Sequence, residues 1–367
     1  MVVVRNIVGP SWRVPAGAVA LTLLRVSVYA TLAPKNLPGA LCQWDCRWYL
    51  GIAAHGYDSA PRLIGAYWQA NWAFFPLYPL LVRAAAAAAP LEVAGCLVSS
   101  LCCVGFTWLG ANYLAVTRQH APNGWVLLVA AWPFGLYFVV PYSEALYAVL
   151  ATAALLALAE RRAWSAVGVT ALLTATRPTG ILVAAWLGML QIRLAVGERS
   201  FAVVIRLLLP AAVGGLGLLG FMAYLGWRLG NPLAFATIQG AWRHHFSNPV
   251  GVLADGFADL DLARRHVGRA YESGWAVIGL VAALWLAWRR RLAEAWLLGA
   301  TVVMALCSGV VDSMPRFVGA NPAFLFAVWD GFALIRWRAL RILAILALAA
   351  AQCLFVRAWF RGADFLS

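Results

Sequence analysis

From residue 14 to residue 356 the chain is a near-continuous series of apolar stretches, and a helix needs only about 20 apolar residues to cross a bilayer. Eleven spans are predicted: Val14–Ala33, Val93–Val116, Trp125–Val140, Ser143–Ala159, Trp164–Thr176, Thr179–Arg193, Val203–Trp227, Trp275–Trp288, Leu292–Val310, Phe317–Ile335 and Leu340–Val356. With 63% hydrophobic and 11% charged residues, no soluble core hides this much apolar surface. The expected fold class is an all-α polytopic membrane protein, residues 1–367 forming a single transmembrane domain. The two short spans around Arg177 and Pro178 admit two readings. Either they re-enter tightly near one surface, or they form one broken helix that reverses the parity of all that follows.

Short basic loops set the orientation. Arg161-Arg162, Arg289-Arg290-Arg291 and the group Arg336, Arg338 and Arg341 fall on one side, with Arg5 and Arg13, and the positive-inside bias makes that side cytoplasmic. The net charge of +14 therefore reads as orientation and headgroup contact, with no nucleic-acid partner expected. Two long segments, 34–90 and 229–273, then lie outside and carry most of the acids, which puts the chemistry on that face. Lys35 is the only lysine; this arginine-, alanine- and tryptophan-rich usage points to GC-rich coding and a bacterial plasma membrane, with the endoplasmic-reticulum lumen as the equivalent face in a eukaryote. The first apolar run has spanning length and no cleavage site, so no cleavable signal is expected.

Acids are scarce, which makes Asp45 conspicuous in Gln43-Trp44-Asp45-Cys46-Arg47-Trp48-Tyr49-Leu50, just past the first span. Two readings stand. Asp45 caps a following helix, or it serves as a general base at an interface where partial dehydration raises a carboxyl pKa. Trp44, Trp48 and Ile52 recur at helical spacing, and Asp45 and Tyr49 share the neighbouring stripe, so a helix lying in the headgroup plane is expected. Phe74-Phe75-Pro76-Leu77-Tyr78-Pro79-Leu80-Leu81 is too short to span and reads as interfacial or re-entrant. Cys42 and Cys46 flank Asp45 and pair if the loop faces an oxidising compartment; the remaining cysteines sit in apolar runs as small core residues.

Arg47, Arg62, Arg177, Arg243, His244, His245 and Arg316 populate the same face. A planar guanidinium suits a lipid phosphate, while each arginine taken alone also fits a snorkelling span-end residue. Asn231-Pro232 looks like a helix start, placing Gln239, Trp242, Arg243 and Phe246 on one face. Adjacent His244 and His245 diverge by about 100° on a helix and make a poor ligand pair; no metal site is expected. Glu144 opens a span, facing the cleft or complementing the helix dipole. Gly215-Leu216-Gly217-Leu218-Leu219-Gly220 matches a nucleotide fingerprint, but it lies within an apolar span and reads as small-residue helix packing.

Six pieces in order resemble the phosphatidylinositol-glycan class V (PIG-V) mannosyltransferases, which add the second mannose in GPI-anchor assembly. They are Trp44-Asp45 with Trp48-Tyr49 through Gly56-Tyr57, Phe74 to Leu81, Tyr142-Ser143-Glu144, Arg177-Pro178 with Gly180, Asn231-Pro232-Leu233-Ala234-Phe235 with Gln239 and Trp242, and Ser313-Met314-Pro315-Arg316-Phe317. The resemblance covers roughly residues 20 to 330. It implies a GT-C glycosyltransferase that moves mannose, with inversion, from a polyprenyl-phosphate donor to a lipid-linked or glycan acceptor, using no cofactor. Asp45 is expected as the base, with Arg316 and Arg177, then Arg243 and His244, on the donor phosphate. Trp44, Trp48, Tyr49, His55, Glu144, Gln239, Trp242 and Asp312 are expected along the cleft. Only one carboxylate is needed, because phosphate leaves without an acid. The competing class is a lipid or sugar transporter, which favours mid-span charges and internal repeats; Arg25 is the one clear mid-span charge.

Overall fold

A computed structural model describes residues 13–34, 36–118, 124–195, 209–260 and 269–363. Arg5, Lys35, Glu198, Asp261 and the start of the span predicted at Val203 lie outside the described residues. The chain is almost wholly helical: α1 (Arg13–Leu32), α2 (Leu37–Leu41), α3 (Cys46–His55), α4 (Leu77–Ala85), α5 (Leu91–Arg118), α6 (Trp125–Ala131), α7 (Glu144–Ala159), α8 (Ala163–Thr174), α9 (Ile181–Ala195), α10 (Leu216–Leu229), α11 (Ala234–Thr237), α12 (Pro249–Ala258), α13 (Ala270–Trp288), α14 (Leu292–Cys307), α15 (Met314–Gly319), α16 (Pro322–Leu334) and α17 (Arg338–Phe360). Among the described residues α1, α5, α13 and α17 are long and apolar enough to cross a membrane by length and composition. Shorter apolar helices pack between them, with α5 along α7 and α13 along α14 the most extensive pairs.

Two predicted spans are broken. Trp125–Val140 is helical only to Ala131, after which Pro133–Phe138 continues as a 3-10 turn. Pro133 has no N–H to give, so carbonyls ahead of it lose their helical donors. Arg25 takes up that role: its guanidinium donates to Val129 O, to Ala130 O at 3.3 Å and to Gly135 O at 3.5 Å. Gln352 adds bonds to Ala130 O, at 3.2 Å, and to Trp132 O. The mid-span charge is thus a strut for interrupted backbone, as buried irregular segments require. Phe317–Ile335 is likewise two helices, because Asn321 accepts from Ala323 N–H at 3.0 Å and Pro322 starts α16 afresh. At Arg177 the chain turns through Pro178–Gly180, and α8 and α9 pack on each other. In the glycine run, Gly217 lies against the Ala171 carbonyl, where a Cβ has no room.

The segment after α1 also departs from an all-helical reading. A small antiparallel hairpin pairs β1 (Arg62–Ile64) with β2 (Tyr67–Gln69) across Gly65, whose φ of 62° suits glycine in the turn. Leu63 and Trp68 are exposed on it. The start expected at Asn231-Pro232 is displaced: Asn231 Oδ1 accepts from Leu233 N–H at 2.9 Å in a local turn, and helix begins at Ala234. It tightens to a 3-10 turn ending at Trp242, and Arg243 takes φ 64°. The predicted shared face of Gln239, Trp242, Arg243 and Phe246 therefore does not extend past Trp242.

Candidate active site

The amino end of α3 positions Asp45. Cys42 and Cys46 are joined by a disulfide, which closes a tight loop whose interior residue Trp44 holds φ 41°. Tyr142 fixes the same loop from the other side, accepting from Asp45 N–H at 3.1 Å and donating to Gln43 O at 3.0 Å. Asp45 stands at the N-cap position, yet its side chain makes no capping bond. Its Oδ2 instead accepts from Arg316 Nη1 at 2.7 Å, across 271 positions of sequence. That pairing outbids the cap, since a charge-assisted bond is about twice as strong as a neutral one.

Arg316 is held in turn. It lies in α15, 5.3 Å from the Tyr142 ring and 5.5 Å from the Phe317 ring, with Nη2 donating to Ser313 Oγ at 3.3 Å. Behind it Glu144 Oε1 stands 3.3 Å from Arg316 Nε and 2.5 Å from Arg177 Nη1. Arg177 comes from the turn before α9 and also faces the Phe317 ring, at 5.4 Å. Two carboxylates and two guanidiniums thus form one chain, Asp45–Arg316–Glu144–Arg177.

This chain borders a cavity of about 1170 Å³. Trp44, Asp45, Trp48, Tyr49, Arg177, Gln239, Trp242, His244, Asp312 and Arg316 all line it. Trp48 stacks on Phe74 at 5.8 Å and meets Trp242 edge-on at 5.9 Å, so the first and second long segments share an aromatic wall. Burial pushes the Tyr49 phenol above its usual value; its OH bonds Ser143 Oγ at 2.7 Å. His244 Nδ1 bonds Ser308 Oγ at 2.9 Å. Burial pulls its pKa below the usual histidine value, against the opposing attraction of Asp312 and with added repulsion from His245.

Three expected site residues fall elsewhere. Arg243 is exposed and donates to the Tyr67 hydroxyl at 3.0 Å, because the reversal of backbone at that residue turns its side chain towards the hairpin. His55, at the end of α3, is exposed and off the cavity. Glu144 does not line the cavity; it is the acid in the first turn of α7, placed to complement the helix dipole, and is buried behind the two arginines. The cavity also contains residues that the sequence did not single out for it. Glu272 and Tyr271 open α13, Thr301 and Met304 belong to α14, and Phe235 and Phe246 come from the second long segment. Glu272 was visible as an acid; Thr301 and Met304 sit inside an apolar run and carry no local signal. Among the described residues no group of three or more histidine, cysteine, aspartate or glutamate side chains is arranged to hold a metal ion.

Comparison with known proteins adds a family and relatives. The model of a family described as mannosyltransferase (PIG-V) matches residues 17–200, half of the chain, including Asp45, Glu144 and Arg177. GPI alpha-1,6-mannosyltransferase 2 of Homo sapiens is 29% identical over 161 residues, covering 40% of this chain and 31% of that protein. The protein of that name from Cricetulus griseus is 29% identical over 163 residues, and the one from Rattus norvegicus 30% over 163, each with the same shares. The aligned part spans about a third of those relatives' length.

Proposed function

This chain belongs to the PIG-V mannosyltransferase family, and from that premise we propose that it is an integral membrane glycosyltransferase of GT-C type, moving a mannosyl group from a polyprenyl-phosphate donor to an alcohol of a lipid-linked or glycan acceptor. The observation that carries the reading is the contact between Asp45 and Arg316, 2.7 Å apart on the wall of a cavity that Arg177 also lines. A base and cations for a leaving phosphate are thereby presented to one space.

The chemistry balances on these groups. Asp45 takes the proton of the acceptor hydroxyl as that oxygen attacks the anomeric carbon from the face opposite the phosphate. The new carbon–oxygen bond forms as the bond to the phosphate oxygen breaks, with inversion. Negative charge moves from the carboxylate to the departing lipid phosphate, where Arg316 and Arg177 stabilise it. Arg316 holds one carboxylate oxygen, Oδ2, and leaves Oδ1 for the substrate proton. The aromatic wall of Trp48, Phe74 and Trp242 suits the apolar face of a sugar ring or an isoprenoid chain. The site opens to the extracytoplasmic side in the orientation set by the basic loops.

The discriminating experiment is Asp45→Asn in the full chain, assayed with polyprenyl-phosphate mannose and a lipid alcohol acceptor. Transfer is lost while membrane insertion and thermal unfolding stay as in the parent. Retained transfer moves the base to Asp312, a cavity-lining acid in the turn before α15.

A further inference from the structure

Glu144 is a costly residue to keep where it is. Its side chain is 5% exposed, and Oε2 has no hydrogen-bond partner among the described residues. An unmet oxygen on a buried carboxylate carries a desolvation penalty that packing does not return. Helix capping does not explain it, because the cap position of α7 is Ser143 and no side-chain cap bond forms. What Glu144 does is stand between two guanidiniums, 2.5 Å from Arg177 Nη1 and 3.3 Å from Arg316 Nε. Arg316 Nε itself completes no hydrogen bond. The guanidinium is therefore committed to Asp45 and only half committed to Glu144.

We infer that Glu144 is a positioning residue that competes with Asp45 for Arg316, and so leaves the Asp45 carboxylate available to the acceptor hydroxyl. The inference rests on the reading of Asp45 as the base. With the site empty, Asp45 and Arg316 mask one another. A phosphate entering beside Arg177 gives Arg316 a further anionic partner, and Glu144 keeps the guanidinium from closing onto both oxygens of Asp45, so that Oδ1 stays open to the substrate proton. Without the Glu144 charge, Arg316 has Asp45 as its sole carboxylate partner among the described residues, and the mask tightens. The other titratable groups around Asp45 are Tyr49, Tyr137 and Tyr142, with Glu272, Asp312 and His244 elsewhere on the cavity wall.

The test is the pH profile of kcat/KM for mannosyl transfer by the full-length protein in lipid nanodiscs. In Glu144→Gln the acid limb moves to lower pH by about one unit, and kcat at neutral pH falls about tenfold, in step with a weaker base. Glu144→Asp, which keeps the charge, brings the limb back towards the parent. Arg177→Gln shifts it the other way, because Glu144 is then left to Arg316 alone. A role in folding lowers the amount of active protein and moves no limb. If Glu144→Gln does not fold, the Arg177→Gln profile decides: an unmoved limb there overturns the inference. A parent protein that transfers no mannose overturns the functional reading instead, and parent activity with unmoved limbs overturns this one alone.

Discussion

Two buried charge clusters stand among the described residues, and they are built to opposite standards. In one, Arg118 uses all its donors: Nε to Asp330 Oδ1 at 3.0 Å, Nη1 to Thr117 Oγ1 at 2.9 Å and Glu294 Oε1 at 2.6 Å, and Nη2 to Glu294 Oε2 at 2.8 Å and Asp330 Oδ2 at 2.9 Å. Tyr113 adds a further bond to Glu294. In the other, Arg316 Nε and Glu144 Oε2 lack hydrogen bonds, and the Asp45 side chain is 29% exposed against 1% for Glu294. Both bring together residues more than 170 positions apart. A saturated cluster ties helices α5, α14 and α16 into one body; an unsaturated one beside a cavity retains capacity for a ligand.

The contrast breaks first at Asp45. Asp45→Asn lowers transfer by about a thousandfold, the scale of a lost general base, with the thermal midpoint little changed, because Asp45 is partly open to the cavity. Arg118→Met reverses the pattern. It leaves Glu294 and Asp330 as buried carboxylates without a cation and costs about 3–5 kcal/mol of stability. Thermal unfolding in detergent reads this directly, and transfer per folded molecule is unchanged. A loss of activity without loss of stability in the Arg118 variant erases the distinction between the clusters.

A smaller effect separates the strut from both. Gly135 has no space for a Cβ, which meets Gln352 Nε2 at 2.7 Å and the Arg25 guanidinium at 3.1 Å. Gly135→Ala displaces the groups that satisfy the broken backbone and costs about 1–3 kcal/mol, the range for overpacking. Denaturant or thermal unfolding checks it, and an unaffected midpoint means that Arg25 and Gln352 are free to shift.

The sequence made some of this legible for definite reasons. Apolar length is a local property, so the long helices α1, α5, α13 and α17 could be read directly, as could a scarce acid among aromatics at Asp45. Arg177 and Arg316 stood out because each begins or ends an apolar run. The partners of each were not legible. Nothing near Arg118 names Glu294 or Asp330, and nothing near Pro133 says that Arg25 and Gln352 will serve its carbonyls. Pairing across 100 or more positions is settled by packing, which span patterns do not encode. The hairpin at 62–69 escaped for another reason: its strands have three residues each and no alternating burial, so there is no period to detect. Arg243 was misplaced because one residue in the left-handed region redirects every side chain after it.

The least of the expected effects tests how far the open cluster's surroundings respond to pH. His244 packs against Ser308 at the cavity, and burial holds its pKa below 6.5, outweighing the attraction of Asp312. As pH falls through that value the unfolded chain takes up the proton before the folded one does. The unfolded state then binds more protons, so stability rises with pH below about 6.5 and levels off above it. The difference in thermal midpoint between the parent and His244→Gln, where the amide can still meet Ser308, should follow this slope between pH 5 and pH 8, because the raised Glu272 carboxyl acts on both proteins alike. Arg118 offers no comparable handle, since a guanidinium stays charged over the whole interval. Equal slopes in the parent and in His244→Gln mean that the histidine is solvated in the folded protein, and that the cavity wall at Ser308 is wetter than the geometry indicates.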